Sequence, residues 1–220
     1  MKLVYLSPSI RKEMQEIKRE IVLSMNGIVA ESLEKQGLNY KRNYGVVVSR
    51  LCEIARKHTA NAPLAEALWL SGEREFMLLA CMLQPKEEYS IDDAKKWLKN
   101  VSNAELAEQL SFRLLSRVSF ANEVVSYAFQ QEDMWQKLVA LYILPRIVHQ
   151  LDIASSQAYL HEILPLLDAD SMVLMQAAIN VLQHLCEQHT GLTEYCSQHV
   201  TISRHPERRK YVEDILESFI

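Results

Sequence analysis

Two glutamates, Glu105 and Glu108, stand three positions apart on a stretch whose leucines repeat with helical spacing. Leu106 and Leu110 mark the apolar face of this predicted helix, so both carboxylates fall on the opposite side. Negative side chains in such a position can stabilise positive charge that develops on a substrate. Two other interpretations stay open, because solvated helix faces also carry acids and Glu105 fits a capping box that begins at Ser102. Glu108 is the catalytic candidate.

The segment Tyr40-Lys41-Arg42-Asn43-Tyr44 combines two aromatic residues with two cations. Aromatic rings stack on bases and cations contact phosphates, so this composition suits a nucleic-acid backbone. We expect Tyr40, Lys41 and Arg42 to contribute to such a contact. A loop between two helices with solvated charges is the alternative interpretation.

Four cysteines, Cys52, Cys81, Cys186 and Cys196, are spread along the chain without a C-x-x-C pair, which indicates reduced thiols. A C-x2-H-x6-C-x2-H pattern is formed by Cys186, His189, Cys196 and His199, and its ligand types resemble those of a metal site. Its spacer is shorter than those of zinc fingers, and the leucines before Cys186 indicate that this thiol belongs to the core. We therefore expect no metal and no other cofactor.

Charge is distributed unevenly along the 220 residues, which carry a formal net charge of −4. Residues 1–58 have a net charge of +5, whereas residues 59–203 have one of −9. A protein that held nucleic acid along its whole surface should be basic throughout, so a phosphate contact is expected in the N-terminal third. No apolar run reaches the roughly 18 residues that span a bilayer, and segment 1–6 is too short for a secretory signal. We expect a soluble cytoplasmic protein without a membrane partner.

Helix-starting and helix-ending residues recur along the chain, whereas only 5 glycines and 6 prolines occur, too few for many β-turns. Ser9 is expected to cap a first helix that breaks at Asn26-Gly27. About ten to twelve helices joined by short loops follow from this pattern. Because such helices pack as hairpins, we predict an all-α fold, an α-solenoid of antiparallel helix pairs resembling HEAT repeats, in a single domain over residues 1–220. A compact helical bundle is the alternative.

The segment from Leu64 to Ala80, LAEALWLSGEREFMLLA, resembles the signature LA-x-x-LW-x-S-G-x-x-E-x-x-x-LA of the AlkD-like DNA alkylation repair family. The stretch from Asn103 to Ser111 is similar to the family's N-W-x-L-x-D-x-L, and Tyr44-Gly45-Val46 to its Y-G-V. The resemblance covers about residues 40–200. It implies a HEAT-like-repeat DNA glycosylase that removes alkylated purines.

Most of this signature concerns architecture. Trp69 is expected inside a helix interface, and Gly72 is expected in the turn between two helices. Glu75 is expected to bind a neighbouring helix terminus or a loop amide. The signature therefore predicts the fold more than the chemistry.

The resemblance also implies a site, from which this chain departs. The family's Trp-x-x-x-Asp pair stabilises the sugar cation that forms as the damaged base leaves, and here the two positions read Ala104 and Glu108. Leu138 stands near the position of the family's arginine, and Lys137 is expected to replace it as a phosphate-binding cation. Val181 stands where the family has a further aromatic residue.

These features predict a DNA-binding HEAT-like-repeat protein of the DNA alkylation repair family, an alkylpurine DNA glycosylase with a degenerate active site. Its partner would be double-stranded DNA. We expect a basic groove to bind this DNA, lined by Lys41, Arg42, Arg50 and Lys137. The alternative is a non-catalytic helical-repeat scaffold that binds protein or nucleic-acid partners, because aromatic and cationic members of the site are missing. A metal or small-molecule enzyme built on the Cys/His segment is a third hypothesis.

Overall fold

The computed structural model describes residues 7–218, which form 13 α-helices joined by loops and 3₁₀ turns. No β-strand occurs among these residues, and a single isolated bridge pairs Arg42 with Glu73. The all-α prediction is confirmed. None of the helices described is both long and apolar enough to cross a bilayer. The expectation that segment 1–6 is no secretory signal lies outside the described residues.

The chain divides into two compact units, residues 1–119 and residues 120–220, called unit 1 and unit 2 below. Each unit is described by itself. The single domain over residues 1–220 stays a prediction.

The described part of unit 1 contains seven α-helices and two 3₁₀ turns. They are α1 (Pro8–Leu23), α2 (Gly27–Lys35), α3 (Val48–Ala55), α4 (Ala62–Trp69), α5 (Arg74–Leu83), α6 (Ile91–Leu98) and α7 (Ala104–Arg113), with turns at Lys86–Glu88 and Leu115–Arg117. α5 packs against α3, α4 and α7, and nine of its ten residues are buried. It is the central helix of this unit.

Side-chain caps fix where the first two helices begin. The hydroxyl of Ser7 caps α1, two residues before the predicted cap Ser9, and Pro8 occupies the first helical position, where its preset φ is favourable. The side chain of Asn26 caps α2 by accepting two backbone N–H groups. The break expected at Asn26-Gly27 is therefore confirmed.

Two stacked tryptophans lie in the core of unit 1. The rings of Trp69 and Trp97 are 4.3 Å apart and 3° from parallel, and Tyr89 meets the edge of Trp97. Trp69 donates its indole N–H to Asn100 at 3.2 Å, and Trp97 donates to Glu66 at 2.8 Å. Because both indole donors are satisfied, the stack combines apolar burial with polar anchoring. The predicted burial of Trp69 between helices is confirmed.

The described part of unit 2 contains six α-helices and three 3₁₀ turns. They are α8 (Ala121–Phe129), α9 (Met134–Ile147), α10 (Ile153–Ile163), α11 (Met172–Gln188), α12 (Gly191–His199) and α13 (Arg209–Glu217), with turns at Val148–Gln150, Leu164–Asp168 and Pro206–Arg208. α9 packs against both α8 and α11. Its apolar residues are consequently buried on two sides.

Candidate functional site

The predicted nucleic-acid segment lies in the loop between α2 and α3, which a buried glutamate holds in place. Glu75, in the first turn of α5, has no exposed surface. Its carboxylate accepts the backbone N–H groups of Tyr44 at 3.1 Å and of Val46 at 3.2 Å. The prediction that Glu75 binds a loop amide is confirmed.

Two glycines in the left-handed region allow the same loop to approach its neighbours. Gly45 has a φ of 70°, and a Cβ there would lie 2.0 Å from the carbonyl oxygen of Asn26. Gly72 has a φ of 71° and forms the turn between α4 and α5, as predicted. Its carbonyl oxygen accepts the N–H of Lys41 at 3.1 Å, so this turn supports the loop directly.

Arg74 is a buried cation beneath the loop, with an exposed fraction of 2%. It donates to Glu105 through Nε at 2.8 Å and Nη2 at 2.5 Å, and its Nη1 donates to Glu75 and to the carbonyl oxygen of Val46, both at 2.9 Å. Burial opposes the charged form, but the Glu105 and Glu75 carboxylates outweigh it and raise the pKa of Arg74. The bidentate pair thus joins α5 to α7.

This ion pair changes the interpretation of Glu105. The predicted capping box at Ser102 is wrong, because Asn103 caps α7 by accepting the N–H of Leu106 at 2.9 Å. The Glu105 carboxylate is occupied by Arg74 instead. Of the two acids proposed from the sequence, Glu108 is the one left for a substrate.

Tyr40 connects the loop to the first turn of α7. Its hydroxyl lies 3.1 Å from both Asn103 Oδ1 and Glu105 Oε2, to which it donates. Burial, followed by the negative charge of Glu105, raises the pKa of the Tyr40 hydroxyl, which stays protonated at neutral pH. The side chain positions the loop, and its contact with nucleic acid stays a prediction.

Lys41 and Arg42 are exposed on this loop. Lys41 Nζ donates to the carbonyl oxygen of Ser71 at 3.3 Å, and Arg42 Nη1 donates to the Tyr44 hydroxyl at 3.2 Å. The bond to Tyr44, aided by the charge of nearby Glu73, raises the pKa of Arg42. Within residues 7–218 neither cation forms an ion pair, so both keep donors for an external anion.

Glu108 lies one turn beyond Glu105 on α7, and its side chain is exposed. The apolar face predicted for this helix is confirmed, since Leu106 and Leu110 have no exposed surface. No hydrogen bond or ion pair among the described residues engages the Glu108 carboxylate. Ala104, one turn earlier, provides no aromatic wall on that side.

An aromatic–cation cluster that the sequence did not indicate lies at the end of the same helix. Phe112 is 38% exposed, one turn after Glu108. The guanidinium carbons of Arg113 and Arg117 lie 5.0 and 5.4 Å from its ring centroid, within the range of cation–π contact. The spacing of Glu108 and Phe112 is visible in the sequence, whereas the position of Arg117 depends on the end of α7 at Arg113.

The two other predicted cations differ from each other. Arg50 on α3 is compensated, because its guanidinium lies 2.6 Å from Glu53 and 3.8 Å from Glu20. Lys137 on α9 is half-buried beside the fully buried Leu138, and no hydrogen bond or ion pair in the described structure engages its ammonium group. The role of Lys137 in phosphate binding stays a prediction.

The Cys/His segment does not gather its four side chains. The thiols of Cys186 and Cys196 are buried and share a hydrogen bond, which lowers the pKa of Cys186 and raises that of Cys196. His199 is exposed and stacks on Tyr195 with ring centroids 4.0 Å apart. In the part of the chain that the structure describes, no three His, Cys, Asp or Glu side chains are arranged to hold a metal ion.

A comparison with known protein families matches residues 10–194 to the family described as DNA alkylation repair enzyme. The chain belongs to the DNA alkylation repair family. It is also similar to a solved structure described as "A new family of proteins related to the HEAT-like repeat DNA glycosylases with affinity for branched DNA structures". The TM-score is 0.73 at 16% identity, over 84% of this chain and 80% of that chain. No match was found among curated proteins.

These findings confirm the resemblance and the HEAT-like-repeat fold, and the compact bundle is no longer an alternative. As a member of the DNA alkylation repair family, this chain keeps the architecture of the signature around Trp69, Gly72 and Glu75. The positions where the resemblance places chemistry are altered instead. Leu138 and Val181 have no exposed surface, so neither side chain lines a site.

Proposed function

We propose that this member of the DNA alkylation repair family binds double-stranded DNA through unit 1. Lys41 and Arg42 would contact phosphates, while Glu108 would face the sugar of the target nucleotide. The observation that carries the proposal is the buried link between the two parts of this surface. Arg74 joins the loop to α7, so the exposed cations and the exposed carboxylate are held by one network.

The charge of unit 1 supports this assignment. Residues 1–119 contain 18 Lys and Arg against 15 Asp and Glu, a net charge of +3. Within the buried network Arg74 offsets the charge of one of two acids, Glu75 and Glu105, with which it pairs. The affinity for branched DNA in the description of the similar solved structure agrees with a nucleic-acid partner.

The chemistry proposed for Glu108 is electrostatic. When the bond between a sugar and an alkylated purine breaks, positive charge develops on the sugar, and an unpaired carboxylate stabilises that charge. Ala104 leaves the carboxylate without the aromatic neighbour that the family pattern has. A cation–π contact is worth about 1–2 kcal/mol, so excision should be roughly tenfold slower than with an intact pair.

Two further parts of the proposal rest on single residues or residue types. Lys137 would contribute one phosphate contact from unit 2, as a point charge without the bidentate geometry of arginine.

The four free cysteines, Cys52, Cys81, Cys186 and Cys196, support a reducing compartment, and we infer the cytoplasm.

The test of the proposed catalytic role is the release of 7-methylguanine from alkylated double-stranded DNA. Release by the wild type should exceed that by Glu108→Gln, which removes the charge and keeps the size. Glu88→Gln is the matched control, because Glu88 is an exposed glutamate of the same unit. Equal release by the wild type and Glu108→Gln would exclude catalysis by Glu108, and DNA binding would then be judged separately.

A second candidate function is a non-catalytic scaffold for protein or nucleic-acid partners. The burial of Leu138 and Val181 favours it, because these positions no longer present a cation or an aromatic ring. The scaffold without DNA binding requires that the wild type is not retained on DNA at physiological salt. Retention on DNA that weakens steeply with added salt would reject a scaffold that binds only protein partners.

A further inference from the structure

We infer that Phe112 and Arg117 form a contact for an unpaired nucleotide beside Glu108, in which Arg117 binds the phosphate and Phe112 stacks on the base. The inference rests on the proposed DNA binding and deepens it. It names the residues of this chain that would recognise the nucleotide next to the carboxylate.

The first argument is the direction of the Phe112 side chain. Residues four positions apart lie on the same face of a helix, and side chains lean toward the helix N-terminus. We therefore expect the ring of Phe112 to lie over the turn that carries Glu108. Ala104 leaves the N-terminal side of the carboxylate without a ring, whereas Phe112 would supply one on the C-terminal side.

The second argument is the way the chain brings Arg117 over this ring. In an uninterrupted helix Arg117 would lie five residues beyond Phe112, about 140° around the axis. α7 ends instead at Arg113, its C-cap residue Leu114 has a φ of −127° and a ψ of −64°, and the chain enters the turn Leu115–Arg117. Leu114 and Leu115 are buried, which fixes the change of direction, and the guanidinium of Arg117 lies over the ring.

The third argument is the difference between the two arginines at the ring. Arg113 is half-buried and donates to Gln109 and to the thiol of Cys52, both at 3.2 Å. Arg117 is exposed, and no hydrogen bond or ion pair to the residues described uses its donors. A cation–π contact at an exposed site is weak, whereas hydrogen bonds from a guanidinium to a phosphate are charge-assisted and bidentate. Arg117 can therefore leave the ring for a phosphate and uncover a ring face for a base.

The test is fluorescence anisotropy with two labelled DNAs of the same sequence, a continuous duplex and a duplex with a short single-stranded gap. The variants are Phe112→Leu, which keeps apolar bulk without a π-face, and Phe112→Tyr, which keeps the ring. Arg117→Gln removes the cation, and Arg56→Gln is the matched control at another exposed arginine of unit 1. Thermal unfolding of each variant checks that the fold is kept.

Phe112→Leu should weaken binding to gapped DNA about tenfold and binding to the continuous duplex less than about twofold. Phe112→Tyr should bind as the wild type does. Arg117→Gln should reduce the slope of log affinity against log salt by about one on the gapped DNA. Arg56→Gln should leave both affinities unchanged.

Three other results would overturn the proposed function or the inference. If the wild type binds neither DNA, the proposed function is rejected, and the inference that rests on it is rejected with it. If the wild type binds but Phe112→Leu and Arg117→Gln match Arg56→Gln, the inference alone is overturned. If Phe112→Leu weakens both DNAs equally, the contact with an unpaired base is overturned.

Discussion

In each unit a carboxylate accepts several backbone N–H groups and so fixes a loop, but the two loops differ in what they are connected to. In unit 1 Glu75 holds the loop before α3. In unit 2 Asp168 accepts the N–H groups of Ser203, Arg204 and His205, at distances between 2.9 and 3.1 Å, and so holds the loop between α12 and α13. The backbone bond from Arg204, followed by those from its neighbours, keeps the pKa of Asp168 below its usual range.

The difference between the units lies in what each carboxylate is connected to. Glu75 is paired with Arg74, which reaches Glu105 on α7 and so joins a basic loop to the helix of Glu108. Asp168 has no such cation within 4.0 Å in the described structure. Residues 120–220 carry 6 Lys and Arg against 13 Asp and Glu, a net charge of −7, against +3 in unit 1. The comparison supports the proposal that unit 1 provides most of the DNA contact.

Arg74→Met should give the largest effect, because it leaves the buried Glu75 and the partly buried Glu105 without their cation. Breaking a buried ion pair by removing one partner costs about 3–5 kcal/mol. Urea unfolding measures this loss of stability. The double variant Arg74→Met/Glu105→Gln should recover part of it, and a loss below about 1 kcal/mol in the single variant would contradict the importance of the network.

Gly45→Ala should give the next largest effect, because the new Cβ combines a strained φ with a clash against the backbone of Asn26 and Ala30. Strain of this kind costs about 1–3 kcal/mol, and the loop that carries Lys41 and Arg42 must shift. Gly37→Ala is the control, since Gly37 also has a positive φ but no atom within 4 Å of the added Cβ. The free energy of unfolding in urea and the DNA affinity should both fall more for Gly45→Ala than for Gly37→Ala. Equal losses in the two variants would show that the close approach of the loop is unimportant.

Asp168→Asn should change the pH dependence of stability by a smaller amount. Since the folded protein depresses the pKa of Asp168, its stabilisation is present above the ordinary value of 3.8 and is lost as the pH falls through the folded value. The variant should melt a few degrees below the wild type at pH 7, and the difference should shrink below about pH 4. A difference that stays constant from pH 7 to pH 3 would show that the charge of Asp168 contributes nothing.

Lys137→Gln should have the smallest effect, on DNA affinity alone. If this side chain contacts one phosphate, affinity should fall about two- to fivefold for every DNA sequence, with a salt slope lower by about one. Fluorescence anisotropy across a salt series measures both quantities. An unchanged salt slope would show that Lys137 contacts no phosphate.

Much of the fold was predictable because its signals are local. Helix caps, glycine turns and apolar spacing depend on neighbouring residues, which is why the break at Asn26-Gly27, the turn at Gly72 and the buried face of α7 were predicted. The loop contact of Glu75 was also predictable, because an acid in a largely apolar helix must find donors.

The candidate site was less predictable because its contacts join distant parts of the chain. Glu105 fits a local capping box, but its carboxylate binds Arg74, which lies 31 residues earlier in the chain. The bidentate ion pair with Arg74 is stronger than the capping bond to the backbone. Arg117 approaches Phe112 only because α7 ends at Arg113, and no residue there signals that end strongly. Sequence periodicity would have placed this arginine on another face of the helix.

The most direct test of the account is the salt dependence of DNA binding by the wild type and by Lys41→Gln/Arg42→Gln. Lys18→Gln/Lys99→Gln, two exposed lysines elsewhere in unit 1, is the control with the same loss of charge. Each phosphate contact contributes about 0.9 to the slope of log affinity against log salt, so the loop variant should lose nearly two from this slope. The control should keep the wild-type slope, and a loop variant with the same slope as the control would contradict the account.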